Sequence, residues 1–261
     1  PVRRKVVFFL PDAVYFKNYS KGVKDIDPTT EYWGTIDGNK MDFARLDHSL
    51  KAYRWYIEEI CERFAQAGYK HIDLMGFYIL SETLTMNGGW NYQYKQHEDL
   101  IPEIADYCHR YDKGLYWIPY CVNNSLPEHN QGLRNWKNLG IDMTVMQPNY
   151  YWLNPPQPWS KVCSFILEND MGMELEFEGT HGEYLNSSIL SRRSDGRINT
   201  YAQQNKSRFR EYFTNARESG IYGTRPLVLY SGTNALYELA VSTDPEDRKL
   251  YHELGEFIIN S

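Results

Sequence analysis

Apolar positions divide the chain into alternating strand-like and helix-like stretches. Residues 5–10 (Lys-Val-Val-Phe-Phe-Leu) form an apolar run closed by Pro11-Asp12, the signature of a buried strand. A polar stretch follows to about residue 43, with a turn signal at Asp37-Gly38. Leu46, Leu50, Tyr53, Ile57, Ile60 and Phe64 then recur at helical spacing, and Gly68 ends that helix. Residues 72–79 read as a second strand, and Leu100, Ile104, Cys108 and Tyr111 as the apolar stripe of the next helix. Further strands are predicted at 115–119, 141–147, 172–179 and 226–230. Further helices are predicted at 133–139, 159–167, about 207–218, and after Asp244-Pro245-Glu246, a capping residue followed by a first-turn proline.

The order is strand, helix, strand, helix, and nearly every strand is an apolar run. This predicts an α/β fold: a parallel sheet covered by helices, as a (β/α)8 TIM barrel or a barrel lacking its first strands, in a single domain over residues 1–261. Helix-to-strand links are short, whereas strand-to-helix links are long, polar and aromatic. In barrels and open α/β sheets, sites form on the latter, at the carboxyl ends of the strands. No GxGxxG follows the first strand and no GxxxxGK[ST] occurs, which disfavours nucleotide binding. Six strands are fewer than the eight of a closed barrel. If two more precede Pro1, the strand at 72–79 becomes the fourth and that at 172–179 the seventh.

The stretch 172–179 (Gly-Met-Glu-Leu-Glu-Phe-Glu-Gly) breaks the apolar rule. Glu174, Glu176 and Glu178 alternate with Met173, Leu175 and Phe177, so the three carboxylates share one face of a strand. Two readings stay open. One is an edge strand with a solvated acidic face. The other is a strand that pairs or uses its carboxylates, since neighbouring like charges raise each other's pKa and cannot be buried unpaired.

Composition narrows the classes. The chain has 261 residues, enough to bury a substantial core, and a net charge of -6, which argues against nucleic-acid binding. No apolar run approaches the ~20 residues of a membrane helix. The chain starts abruptly at Pro1 with no visible leader, and we expect an exported protein. Of four cysteines, Cys61, Cys108 and Cys163 fall on apolar helix positions, Cys121 lies in a loop, and none has metal-like spacing. The seven histidines show no HxH or HExxH, so neither a cofactor nor a metal is implied. With 22 Tyr and 7 Trp, aromatics exceed what a core requires, and many sit in loops.

The candidate chemistry lies at strand ends. Glu82 follows the strand at 72–79, and Glu176 and Glu178 end the acidic strand. Two carboxylates at one mouth are what glycoside hydrolysis uses: one protonates the leaving oxygen, the other attacks the sugar carbon or activates water. We expect Glu176 as nucleophile, Glu82 as acid/base, Glu174 deeper and paired with a basic group, and Glu178 at the rim. Gln147, Asn149 and Tyr150 are expected to hold substrate hydroxyls or a carboxylate. Asp12, Tyr78, Trp117, Tyr120 and Tyr230 end other strands and are expected to contact the substrate, Asp12 by a hydrogen bond and the aromatic residues as part of a ligand platform. Trp90, Tyr92, Tyr151, Trp152 and Trp159 lie on or beside the loops, where aromatic faces stack on sugar rings. Each of these also has a structural reading, as turn, packing or salt-bridged residue. Arg192, Arg193 and Arg197 read as a solvated loop, with contact to an anionic sugar as the alternative. There is no GxSxG.

Leu74-Met75-Gly76-Phe77-Tyr78 with Glu82, residues 115–120, Met146-Gln147-Pro148-Asn149-Tyr150-Tyr151 and Gly172-Met173-Glu174-Leu175-Glu176 together resemble an uncharacterised family of bacterial domains common in Bacteroides-type organisms and regarded as glycosidase-like (β/α) barrels. More distantly, the chain is similar to the clan of retaining glycosidases, with an acid/base Glu after strand four and a nucleophile Glu at the end of strand seven. With two strands added in front, Glu82 and Glu176 fall on those strands, and Tyr150 ends strand six, where that clan often has an aromatic or His partner. The departure is Ser81, where the clan usually has Asn. The resemblance implies a glycoside hydrolase, with an oligo- or polysaccharide as its partner. A non-catalytic carbohydrate-binding barrel is the main rival, and a metal-dependent hydrolase using the acidic cluster is a third reading.

Overall fold

A computed structural model describes residues 3–11, 13, 34–43, 45–84, 97–119, 132–150, 158–177, 200–232 and 234–260, with the side chains of 97 and 200–205 left out. Two compact units are distinguished: Pro1–Pro119 with Ser125–Thr144, and Tyr120–Asn124 with Val145–Ser261.

The first unit holds β1 (Arg4–Leu10), the two-residue strands β2 (Thr35–Ile36) and β3 (Asn39–Lys40), α1 (Leu46–Ala67), β4 (Ile72–Ile79), α2 (His97–Arg110), β5 (Gly114–Trp117) and α3 (Gly132–Asn135), which runs into a 3-10 turn at Trp136–Leu139. Strand β6 (Met143–Met146) crosses the division. β1 pairs with β4, β4 with β5, and β5 with the first residues of β6, all in parallel. The alternation of α1 is realised as a buried stripe with Ala52, Tyr53 and Ile57. Gly68 closes it in the left-handed region, at φ 58°, where a glycine carries no steric cost. β4 and β5 approach very closely: a Cβ on Gly76 would lie 2.1 Å from the Gly114 carbonyl oxygen. Phe77, Leu115 and Trp117 are wholly buried.

The second unit holds the end of β6, α4 (Trp159–Glu168), β7 (Gly172–Glu176), α5 (Thr200–Glu218), β8 (Leu227–Tyr230), α6 (Ala235–Val241) and α7 (Pro245–Ile259). β7 pairs in parallel with β6 through Val145 and Met146, and with β8 from Met173 to Glu176. The fold is therefore α/β with parallel strands joined in chain order, six of them among the described residues. Strand β7 is buried at all five positions. The solvated-edge reading of the acidic strand is thus corrected, because β7 has a hydrogen-bonded neighbour on each side.

Helix α5 is longer than the apolar stripe predicts, and α6 and the small β2–β3 pair were not expected from it. Asp244 caps α7 by accepting a hydrogen bond from the Glu246 N–H at 2.9 Å. Lys206 on α5 is nearly sealed and forms an ion pair with the buried Asp247, whose other oxygen accepts from the Ser242 hydroxyl at 2.6 Å. Cys108 and Cys163 are buried and free, as expected of small apolar side chains; Cys61 is free and half-buried.

Candidate functional site: a buried carboxyl at the end of β7

Glu176 is the last residue of β7 and only 2 % exposed. The Tyr212 hydroxyl donates to its Oε2 at 2.5 Å, and the backbone N–H groups of Asn149 and Tyr150 also donate to its carboxyl. Those N–H groups face it because Asn149 adopts φ 54°, a left-handed turn that asparagine tolerates, directly after β6. Burial pushes the Glu176 pKa up to about 8. The Tyr212 hydroxyl opposes the rise, Glu174 two residues earlier adds to it, and the two N–H groups again oppose it. Glu174 is also buried, at 5 % exposure. The shift favours the protonated form of Glu176 at neutral pH, which lowers the cost of burying the carboxyl.

Tyr212 lies on α5, in an aromatic layer. Its ring meets Trp159 at 4.8 Å and 79°, and Tyr150 at 6.0 Å and 85°, both edge-to-face. Tyr150 lies against Trp159 at 4.2 Å. On the same helix, Glu211 accepts hydrogen bonds from the Tyr150 hydroxyl and, at 3.3 Å, from the Trp159 indole N–H. Burial pushes the Tyr150 phenol up to about 12, and the Glu211 carboxylate beside it acts in the same direction. Below this layer, Phe209 packs against Phe177 at 4.3 Å and Phe213 at 4.8 Å.

The second unit thus brings together Glu174, Glu176, Asn149 and Tyr150 of the sequence candidates, with Tyr230, 44 % exposed, paired in register beside Glu176. Gln147 is half-buried at the end of β6. In the first unit, Glu82 is exposed on a bend after β4. Trp117 is fully enclosed and its indole N–H donates to the Ser81 carbonyl at 2.8 Å, so the ring is a core element with no face open to a ligand. Tyr78 is half-buried, edge-to-face with Phe9 at 6.3 Å across the β1–β4 pair. Asp12, Tyr120, Trp152 and Glu178 lie outside the described residues, as do Trp90, Tyr92, Tyr151, Arg192, Arg193, Arg197 and Cys121.

Tyr212 and Glu211 are not among the sequence candidates. Their signal was available: Phe209, Tyr212, Phe213 and Ala216 form a helical stripe, and a tyrosine within a buried stripe needs a partner for its hydroxyl. An open groove of about 620 Å³ between α6 and α7 involves Leu229, Tyr237 and Ile258, and none of the carboxyl group's partners lines it. Its lining is mostly apolar, with His252 and Glu256 among it, and it holds none of the strand-end candidates, so the candidate site stays at β7.

A family model for a domain of unknown function, DUF4855, matches residues 1–256. The chain belongs to the DUF4855 family. No curated protein matches this DUF4855 chain. Its structural neighbours include three xylanases: an intracellular xylanase of Thermoanaerobacterium saccharolyticum (14% identity, TM-score 0.46), a GH10 endoxylanase from a sugarcane soil metagenome (12%, 0.47) and a psychrophilic family 10 endo-beta-1,4-xylanase (12%, 0.44). The matches cover 73% of the DUF4855 chain and 58% of the first xylanase, 74% and 60% for the second, and 73% and 58% for the third. The chain thus spans less than two thirds of each neighbour's length. The first xylanase has also been solved with xylotriose. Among the described residues, no helix is long and apolar enough to cross a membrane.

Proposed function

We propose that this DUF4855 domain is a glycoside hydrolase acting on an oligo- or polysaccharide by a two-carboxylate, retaining mechanism, with Glu176 as nucleophile and Glu82 as acid/base. The observation that carries the proposal is the Glu176 carboxyl, sealed at the carboxyl end of a parallel strand and held by one phenol and two backbone N–H groups. Three donors fix its orientation, as an in-line attack on a sugar carbon requires. The transition state of glycoside hydrolysis carries positive charge on the sugar ring. A cation there favours the ionised carboxylate, so substrate approaching the transition state lowers the proton affinity that burial has raised. The fold alone does not supply this function; the site does.

The alternative is a carbohydrate-binding domain without catalysis. It is favoured by the same raised pKa, because a carboxyl that keeps its proton at pH 7 is a poor nucleophile and a good hydrogen-bond donor to a hydroxyl.

Release of reducing ends from a panel of polysaccharides, xylan included, decides between them. The hydrolase reading expects release that falls at least about 10³-fold in Glu176→Ala. Azide is expected to restore turnover in that variant as a glycosyl azide, and Glu82→Gln to lose activity towards poor leaving groups. Saturable glycan binding with no release from any member of the panel establishes the binding reading instead.

A further inference from the structure

Helix α5 presents Glu211 and Tyr212 consecutively, and each reaches the acidic strand end by a separate route. Tyr212 donates directly to Glu176. Glu211 accepts from the Tyr150 hydroxyl, and the Tyr150 backbone N–H donates to Glu176. The Tyr150 phenol, on the turn after β6, is therefore spent on Glu211, and only its main chain serves the carboxyl. The third donor, the Asn149 N–H, belongs to the same turn. Both residues sit among packed aromatic rings, with Trp159 touching Tyr150 and Tyr212 and donating to Glu211. A phenol in such packing has little rotational freedom, so its hydroxyl is pre-aimed rather than recruited.

We infer that Tyr212 is the positioning residue of Glu176, and that Glu211 locks the β6 turn through Tyr150 so that all three donors converge on one carboxyl. The inference rests on the proposal that Glu176 is the reacting carboxylate, but its physical content is independent of substrate. A hydrogen bond donated to a carboxylate favours the ionised form. Tyr212 therefore orients the group and also keeps its proton removable despite burial. Removing the hydroxyl while leaving the ring removes that support and little packing.

The test is the titration of Glu176 itself, followed by NMR in protein labelled at the glutamate side-chain carboxyl carbon, with Glu176→Gln assigning the resonance. In Tyr212→Phe the midpoint is expected to rise by about one pH unit, a tenfold gain in proton affinity. In Glu211→Ala it is expected to move in the same direction, because the turn loses its lock. Tyr222→Phe, which removes a hydroxyl bonded to the Phe257 carbonyl in the same unit, is expected to leave it unchanged. An unmoved midpoint in Tyr212→Phe overturns the inference, as does an equal shift in Tyr222→Phe. If Tyr212→Phe folds poorly, a stability cycle with Glu176→Gln replaces the titration: a coupling that changes with pH supports the inference, and strict additivity refutes it. None of these readouts needs a substrate. A shifted midpoint in a protein that cleaves no glycan keeps the inference and removes the hydrolase reading. Glycan cleavage that depends on Glu176, with an unmoved midpoint, does the reverse. With a cleaved substrate in hand, Tyr212→Phe is expected to lower kcat with KM nearly constant.

Discussion

Replacing Glu176 by Gln removes the charge while keeping an oxygen for Tyr212 and the turn N–H groups. The carboxyl titrates at an ordinary 4.5 in the unfolded chain and at about 8 in the fold. Between those values the folded state binds a proton that the unfolded state has released, so stability falls as pH rises. The stability the proton confers is complete below 4.5 and lost as pH climbs through 8. At about 1.4 kcal/mol per pH unit, the rise is worth at most about 5 kcal/mol. Charge-sharing with Glu174 and relaxation around the site reduce this, and a gain of roughly 2–3 kcal/mol for Glu176→Gln at pH 9 is expected, against almost none at pH 5. For a chain this size that is roughly 4–12 °C in Tm. Thermal melts of both proteins from pH 5 to 9 measure it. A Tm difference that stays flat with pH, or shrinks as pH rises, refutes the account of a buried, proton-holding Glu176.

Three further outcomes follow from the same unit. Lys206→Met strands Asp247, 1 % exposed, without its cation, and is expected to cost about 3–5 kcal/mol in urea unfolding, largely recovered when Asp247→Leu is added. Gly172→Ala places a Cβ 2.5 Å from the Pro226 carbonyl oxygen between β7 and β8, and is expected to cost about 1–3 kcal/mol and to weaken any Glu176-dependent activity in the same preparation. With an activated aryl glycoside, whose leaving group needs no proton from Glu82, kcat/KM is expected to rise towards about 8 as free Glu176 ionises, whereas a profile already level above pH 5 contradicts the assignment of its proton affinity.

The sequence carried much of the architecture because its signals are local. The strand at Ile72–Ile79 and the helix at Leu46–Ala67 follow from uninterrupted apolar runs and from i, i+3, i+4 spacing closed by glycine. The acidic strand was legible as a strand with its carboxylates on one face. Which way that face looks depends on β6 and β8, brought beside it by pairing over about 30 and 50 residues of chain, and no local pattern encodes that. The same limit hid Tyr212, 36 residues from Glu176, and made Trp117 read as a ligand platform, when its indole is consumed by the Ser81 carbonyl. Asn149 was readable both as a turn and as a carboxylate holder. The turn is present, and the contact with Glu176 runs through the Asn149 backbone N–H, which the turn geometry aims, rather than through the side-chain amide that the sequence suggests.

The central claim is that Glu176 forms a covalent bond to the sugar. The most direct measurement is mass spectrometry of the protein after exposure to a panel of activated 2-deoxy-2-fluoro glycosides, with the adduct located by peptide mapping. The account predicts a fluoroglycosyl ester on Glu176, absent from Glu176→Gln. An ester on another carboxylate, or turnover of the same reagents by Glu176→Gln, contradicts it.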